Sequence, residues 1–338
     1  MINYIYNTTN SFGKVGDGMA QKSVAILLAV YEPREDWLIE LLDSLNEQTY
    51  PNLTLYIRDD ASPKYSFERL AEIVREHVTA FPYTLMQNET NLGSNQTFAR
   101  LVTDAKDEHY IAFCDQDDVW LAKKIANTVA LMEESPLLPT LVCSNVSVMD
   151  GDGEEIAPTI DSHRKRHVFL RGEGLAKELI YRNFVIGCTV IMERARALSY
   201  LPFPDCIVHD HYLAFRAAQD GALDYLEEPQ MRYRVYGGNQ TGVMTGVKTK
   251  EDYLKCRIRV FANRIEAFSS VSAIPELKLA QEWCHARMRN FNREKGGFRA
   301  LWSLRHVNRV TSLFELFGLR FPNFLFRFAV RLIAKGKI

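Results

Sequence analysis

The run VAILLAV at 24–30 is apolar at every position and rich in β-branched residues. A strand of that kind has no solvent face, so both of its sides need cover, and parallel sheets flanked by helices meet that need. The next segments supply the cover. REDWLIELLDSLNEQ (34–48) carries Trp37, Leu38, Leu41, Leu42 and Leu45 at helical spacing. LTLYIRDD (53–60) reads as a second strand, and SFERLAEIVREHV (66–78) as an amphipathic helix with Phe67, Leu70, Ile73 and Val74 on one side. YTLMQN (83–88) is strand-like, SNQTFARLVTDA starts a helix with Ser94 or Asn95 as its cap, and HYIAFCD is the next strand. Strand and helix alternating at this pace predict an α/β fold with a mostly parallel central sheet.

Beyond Asp118 the alternation loosens. LAKKIANTVALMEE reads as a helix, PTLVCSNVSVMD (139–150) and NFVIGCTVIM (183–192) as strands, and TIDSHRKRHVFLR (159–171) as a charged, mobile loop in which His163 and His167 are solvated. DCIVHDHYLAFRAAQDG (205–221) leads into a helix, and YLEEPQMRYRVYGG (225–238) is a strand with a breaker. From about 250 onward the text is helical. Residues 1–21 read as a loose leader with no apolar signal-peptide core. The six cysteines form no C-x-x-C pair and read as buried free thiols of a reducing compartment. Trp37 and Trp120 occupy apolar helical positions, which suits core packing.

Two acidic clusters end strands: Asp59-Asp60 and Asp115-x-Asp117-Asp118. In an open parallel sheet, ligands bind beyond the carboxyl ends of the strands, so both clusters belong to one rim. Three carboxylates within four positions repel one another. Either a hard dication with oxygen ligands, Mg²⁺ or Mn²⁺, draws them together, or the acids favour the N-terminus of the following helix. No G-x-x-x-x-G-K-[ST] or G-x-G-x-x-G follows the first strand, so neither phosphate-cradling loop is supported. The net charge of −1 over 338 residues argues against nucleic acid as a partner.

The order of VAILLAVYEP, LLDSLNEQTYPNLTLYIRDDAS, NETNLGSNQTFARL and YIAFCDQDDVWLAKKI resembles the nucleotide-binding half of family 2 glycosyltransferases. FVIGCTVIM, IVHDHYLAF and YRVYGGNQTG resemble the acceptor half of bacterial polysaccharide enzymes in that family, rhamnosyltransferase-like ones first. The resemblance covers about residues 22–245. It implies a GT-A fold, the nucleotide-diphospho-sugar transferase fold, over 22–248. Residues 22–120 then form the nucleotide half, 121–248 the acceptor half, and 249–338 a helical C-terminal region. The activity implied is inverting transfer from a nucleoside-diphosphate sugar, dTDP- or UDP-linked, to an oligosaccharide acceptor on a lipid diphosphate, in the cytoplasm or at the inner face of the membrane.

Carried over by position, Tyr31 and Glu32 lie in the loop that meets the base, and Asp59 and Asp60 meet base or ribose. Asn91 and Gly93 form the turn beside the nucleotide. Asp115 and Asp117 match the D-x-D, with Asp118 as the extra acid. Asp117 is the first choice of metal ligand, with Asp115 and Asp118 divided between metal and ribose. Arg234, Tyr236 and the YGGNQTG turn lie over the diphosphate; Tyr236 stands where many relatives carry His. Gly187, Cys188, His209 and His211 belong to the acceptor region. Asp210 is the base. Read without the resemblance, Asp210 suits a helix cap, and His209 and His211 suit partly buried packing.

Two rival functions fit parts of the pattern. One is a nucleotide-sugar or carbohydrate-binding protein without catalysis; the other is a Mg²⁺-dependent nucleotidyltransferase, although AVYEPRED is not the Gly-rich loop such enzymes carry. The end of the chain, RFPNFLFRFAVRLIAKGKI, is basic and aromatic: from Arg287 to Lys337 there are twelve Lys/Arg against two Glu. An amphipathic helix of that composition suits an anionic membrane surface, and equally suits docking on protein. Oligomeric state is left open.

Overall fold

The structure, a computed structural model, describes residues 3–6, 21–164, 167–236, 244 and 246–334. The chain divides into two compact units, Met1–Tyr236 and Gly237–Ile338.

Among the described residues, the first unit is built on a ten-stranded sheet. In chain order its strands are β1 (Asn3–Tyr6), β2 (Val24–Val30), β3 (Leu53–Asp59), β4 (Tyr83–Gln87), β5 (Tyr110–Cys114), β6 (Val119–Trp120), β7 (Leu141–Met149), β8 (Glu155–Ala157), β9 (Ile191–Glu193) and β10 (Leu223–Arg234). Its helices are α1 (Glu35–Asn46), α2 (Phe67–His77), α3 (Ser94–Asp104), α4 (Lys124–Glu134), α5 (Ile160–His163), α6 (Ala176–Leu179), α7 (Arg194–Ser199) and α8 (His209–Asp220). Across the sheet the order is β1-β4-β3-β2-β5-β9-β7-β10-β6, with β8 paired to β7.

β2 pairs in parallel with β3 and β5, β3 with β4, and β7 with β10. β9 runs antiparallel between β5 and β7, so β7 and β10 point the same way as β5. The sheet is therefore mixed, with a parallel N-terminal half. The chain steps outward from β2 to β3 to β4, then returns to β5 on the far side of β2. That reversal opens a crevice beyond the carboxyl ends of β2 and β5, where open α/β sheets take their ligands.

Burial explains why these elements form. Every residue of β2 but Ala29 is buried, as the uniformly apolar run requires. α1 turns Trp37, Leu38, Leu41, Leu42 and Leu45 inward, the five residues its periodicity marks. Burying each such side chain contributes about 1.5–3 kcal/mol. Ser66 Oγ accepts the Arg69 N–H at 3.1 Å and caps α2, worth about 1 kcal/mol.

Several expectations are corrected. Asn3–Tyr6, placed in the loose leader, pairs antiparallel with β4. α3 begins at Ser94, but its cap position is Gly93, at φ 79° with no side-chain cap; Asn95 faces another loop. Within 183–192 only Ile191 and Met192 lie in a strand, and Gly187–Thr189 forms a 3-10 turn. Phe184, Val185, Cys188 and Val190 are buried there, so the apolar run reports burial and not extension. The 159–171 segment contains α5, closed by a Thr159/Ser162 capping box over buried Ile160. His167 packs edge-on against Phe169 at 4.6 Å, and burial lowers its pKa. Cys206 and Cys256 are exposed; the other four thiols are buried.

The second unit is helical: α9 (Lys250–Tyr253), a π-helical stretch Leu254–Arg259, α10 (Val260–Val271), α11 (Pro275–Phe291), α12 (Gly297–Ser303), α13 (Arg309–Phe317) and α14 (Asn323–Ala334). Arg287 of α11 pairs with Glu315 of α13 at 2.6 Å, and the Tyr253 hydroxyl donates to the same carboxylate at 2.9 Å. The pair is buried but well bonded, which offsets the cost of taking both charges out of water. α14 buries Phe326 and Val330 in the unit's core and leaves Phe324, Leu325 and Phe328 exposed. Among the described residues, no helix is long and apolar enough to cross a membrane.

Candidate active site

The acids Asp115, Asp117 and Asp118 follow β5 and are pinned from across the crevice by β10. β6 pairs Trp120 with Met231 and Val119 with Arg232. The Arg234 N–H then donates to Asp118 Oδ1 at 2.9 Å, and Arg234 Nε donates to the Asp117 carbonyl at 2.9 Å. Asp118 is fully buried, its carboxylate meets the Cys188 thiol, and among the described residues no N–H or O–H reaches its Oδ2. Burial first, then the charges of Asp117 and Asp115, push its pKa well up. An orphaned carboxylate oxygen in such a place is costly unless something positive meets it.

The fold brings two groups toward it. Cys188, on the 3-10 turn, sets its thiol among the carboxylates: one ligand atom each from Asp115, Asp118 and Cys188 lie within 4.8 Å of one another. That donor set fits a divalent ion. The second group is Lys124, at the start of α4 and 2% exposed. Its Nζ donates to the Cys188 carbonyl at 2.5 Å and lies 3.3 Å from the centre of the Trp120 ring. Burial lowers its pKa to about 8, against the pull of the surrounding thiols and acids. A buried ammonium beneath the acids is thus part of what holds them together.

Asp115 is pushed up to about 7, by burial first and then by Asp117 and Asp210. Asp210 therefore faces the same acid cluster. It is the second residue of α8, and its Oδ1 accepts the His211 N–H. Val208, not Asp210, occupies the cap position. The start of α8 is held by Asn95, whose Oδ1 accepts the His209 N–H at 2.8 Å while its Nδ2 donates to the Ile207 and Pro204 carbonyls. Gly187 lies against the base: a Cβ there would fall 3.2 Å from Asp210 Cβ and 3.3 Å from Asp210 Oδ2.

His209 packs its ring 4.3 Å from Phe98 and 5.2 Å from Phe113, and burial lowers its pKa to about 3. His211 Nε2 lies 2.6 Å from the Leu179 carbonyl. Both imidazoles are packed into the base of the site.

Asp117, the first-choice metal ligand, lies near enough for its charge to raise Asp115 and Asp118, although it is not one of the three whose ligand atoms fall within 4.8 Å of one another. Its Oδ2 accepts the Tyr236 hydroxyl at 2.8 Å. The Tyr236 ring leans on Trp37 at 4.8 Å and remains 38% exposed. Arg234, expected over a diphosphate, is 1% exposed and turns its guanidinium inward to Glu40, to the Asp117 carbonyl and over the Trp37 ring at 4.8 Å. Gly237–Val243, which include most of the YGGNQTG turn, lie outside the described residues.

The remaining sequence candidates line the same rim at β2, β3 and β4. Tyr31 exposes its ring, while its main chain is gripped by Gln116: Tyr31 N–H to Oε1 at 2.8 Å, and Nε2 to the Tyr31 carbonyl at 3.0 Å. This bridge spans the two strands at the topological reversal. Glu32 accepts the Lys64 N–H. Asp59 accepts Ser62 Oγ at 2.6 Å and Gln87 Nε2 at 2.9 Å. Asp60 accepts Asn88 Nδ2 and the Leu92 and Gly93 N–H groups, each at 2.8 Å, and so shapes the turn that exposes Asn91. Glu32 (φ 44°), Ala61 (φ 55°) and Gly93 (φ 79°) put left-handed backbone after three neighbouring strands, the kind of strain that collects at functional rims.

Lys124 and Gln116 escaped the sequence reading, and Asn95 was read only as a candidate helix cap. Lys124 had a signal: it lies four residues before buried Thr128 on the inward stripe of α4, whereas Trp120, expected at a helical position, belongs to strand β6. Gln116 and Asn95 bond to distant backbone and left none.

With this geometry in place, the comparisons converge. The family described as "Glycosyl transferase family 2" matches residues 25–195, half of the chain, and the chain belongs to that family. It is a glycosyltransferase with a GT-A fold. Among its relatives, "dTDP-rhamnosyl transferase RfbG" of Shigella flexneri is 25% identical over 227 residues, covering 64% of this chain and 74% of the relative. "UDP-Glc:alpha-D-GlcNAc-diphosphoundecaprenol beta-1,3-glucosyltransferase WfgD" of Escherichia coli is 25% identical over 201 residues, covering 59% and 71%. The mannosyltransferase PcManGT of Pyrobaculum calidifontis, solved with GDP-Man and Mn²⁺, superposes with a TM-score of 0.54 at 16% identity, over 97% of this chain and 90% of that one.

Proposed function

We propose that the chain is an inverting, divalent-ion-dependent glycosyltransferase of polysaccharide biosynthesis. It moves a sugar, L-rhamnose from dTDP-rhamnose as first choice, to a hydroxyl of a growing, lipid-linked surface polysaccharide. The observation that carries the reading is the meeting of Asp210 with the Asp115, Asp118 and Cys188 set at one rim, close enough for Asp210 to raise Asp115. The likeness to a dTDP-rhamnosyl transferase supports the donor, and the likeness to a diphosphoundecaprenol-dependent glucosyltransferase supports a lipid-linked acceptor.

Asp115, Asp118 and Cys188 would hold the ion, which when bound supplies positive charge to the leaving diphosphate. The thiol softens an otherwise all-oxygen set and favours Mn²⁺ over Mg²⁺. Asp210 takes the proton from the acceptor hydroxyl as that oxygen attacks the anomeric carbon, a contribution of roughly 10²–10⁴ in rate. Attack opposite the departing diphosphate inverts the anomeric configuration. Gly187 leaves the Asp210 carboxylate uncovered toward the acceptor. Tyr236 orients Asp117, and Lys124 sets the Cys188 turn. The Tyr31 ring, exposed beside the Gln116 bridge, is offered to the base. The basic α14, with its exposed aromatic residues, favours a peripheral position on the inner face of the cytoplasmic membrane.

The test is a donor screen with purified protein and Mn²⁺ or Mg²⁺, reading free nucleoside diphosphate. Slow release from one or two donors, abolished by EDTA, is the expected result. Binding without release would instead make the chain a nucleotide-sugar-binding protein. Consumption of a nucleoside triphosphate with a sugar phosphate would make it a nucleotidyltransferase.

A further inference from the structure

The second unit holds a site that glycosyl transfer at the rim does not use. Between α11 and α12 lies a cavity of about 850 Å³ lined by Arg293, Lys295, Arg299 and Arg320. Glu294 also lines it, but its carboxylate faces Arg289 at 3.5 Å. Among the described residues, none of the four cations makes an ion pair with a carboxylate. Their proximity is felt: burial and the charge of Arg293 together lower the pKa of Arg320. Like charges gathered without a counter-charge are unfavourable, and an anion relieves them.

The backbone builds this cluster deliberately. Arg293 sits at φ 57°, sparsely populated for a residue with a side chain, and Gly296 at φ 80°. A Cβ on Gly297 would fall 2.6 Å from the Arg289 carbonyl, so the loop is clamped onto α11. Arg320 is held by the Asn290 Oδ1 at 3.0 Å and lies 4.9 Å from the Phe298 ring centre.

An apolar groove of about 270 Å³ adjoins the cavity and shares Phe298 and Arg299 with it. Phe298 and Trp302, one turn apart on α12, stack at 6.2 Å, and Phe317 stands edge-on to both. All three rings are exposed by more than a third. Guanidinium groups match phosphate oxygens, and aromatic walls match a hydrocarbon chain.

The geometry points to a binding site for a phosphorylated lipid, with its anionic head among Arg293, Lys295, Arg299 and Arg320 and its chain along Phe298, Trp302 and Phe317. That this lipid is the carrier of the sugar acceptor rests on the proposed function; the site itself rests on the cavity and the groove.

The experiment measures binding of farnesyl diphosphate, pyrophosphate and farnesol to the full-length chain by calorimetry, in EDTA so that the acidic rim repels diphosphate. Farnesyl diphosphate is expected to bind at least tenfold more tightly than either part. Arg293→Gln with Arg299→Gln should weaken it at least tenfold, and Trp302→Ala should reduce it to the level of pyrophosphate. The variants change exposed side chains, and equal melting temperatures show that they fold. Pyrophosphate binding as tightly as farnesyl diphosphate would leave only a phosphate site and overturn the proposal, as would farnesol doing so, or an undiminished affinity in the double variant. Donor hydrolysis with Mn²⁺ is read in parallel on the same samples. Its absence in the wild type counts against the transferase reading alone.

Discussion

Lys124 Nζ donates to the Cys188 carbonyl at 2.5 Å, which places a buried ammonium directly under the thiol and carboxylates of the rim. Lys124→Met keeps the volume and removes the charge. The acids then lack a fixed cation, and the folded state is expected to lose on the order of 3 kcal/mol in metal-free buffer. Mn²⁺ should raise the melting temperature more in the variant than in the wild type. An unchanged melting temperature would show that Lys124 does not support the cluster.

Gly187 leaves little room for a side chain beside Asp210 and His209. Gly187→Ala puts a methyl group about 3.2 Å from Asp210 Cβ, closer than most real contacts, and across the carboxylate's approach to an acceptor. Transfer is expected to fall at least tenfold with donor affinity unchanged, as measured by steady-state kinetics with donor and acceptor varied separately. Equal losses for both substrates would contradict this placement.

The Tyr236 hydroxyl is bonded to Asp117 Oδ2 at 2.8 Å at a partly exposed site. Tyr236→Phe keeps the ring against Trp37 and removes the bond to Asp117. A three- to tenfold loss in kcat/KM is expected, consistent with about 1 kcal/mol for a solvent-weakened bond to a carboxylate. Activity at the wild-type level would remove Tyr236 from the site's machinery.

His209 sets a pH limit on stability. Burial holds its folded pKa near 3, while the unfolded chain protonates it from about 6.5. Between those values the unfolded state binds more protons, so its share of stability is present above about 6.5 and falls by about 1.4 kcal/mol per pH unit on acidification. His209→Phe, between Phe98 and Phe113, should remove about 2 kcal/mol of the loss seen between pH 7 and pH 5 in urea unfolding. Parallel acid slopes for the two proteins would contradict the cause.

Much of the fold was legible because burial imposes period. Leu38, Leu41, Leu42 and Leu45 face inward as their spacing requires, and the apolar β2 has cover on both sides. Where burial and extension separate, the reading failed: Phe184 and Val185 are buried in irregular backbone. The D-x-D-D cluster was visible as charge, and Cys188 was assigned to the acceptor region, but its meeting with Asp115 and Asp118 was not foreseen. Cys188 lies far along the chain from Asp118, and no local spacing announces a thiol that only the fold delivers. Arg234 was placed on the right strand end, yet the direction of its guanidinium depends on Glu40 and Trp37, also remote in sequence. Long-range side-chain bonds of this kind carry no periodic signature.

The central claim is that Asp210 is the base of a glycosyl transfer whose donor is held elsewhere on the same rim. The direct measurement is donor dissociation constant and transfer rate for Asp210→Asn beside the wild type, with Mn²⁺ saturating. The account predicts a dissociation constant within twofold and a transfer rate lower by at least a hundredfold. Transfer at the wild-type rate would contradict it.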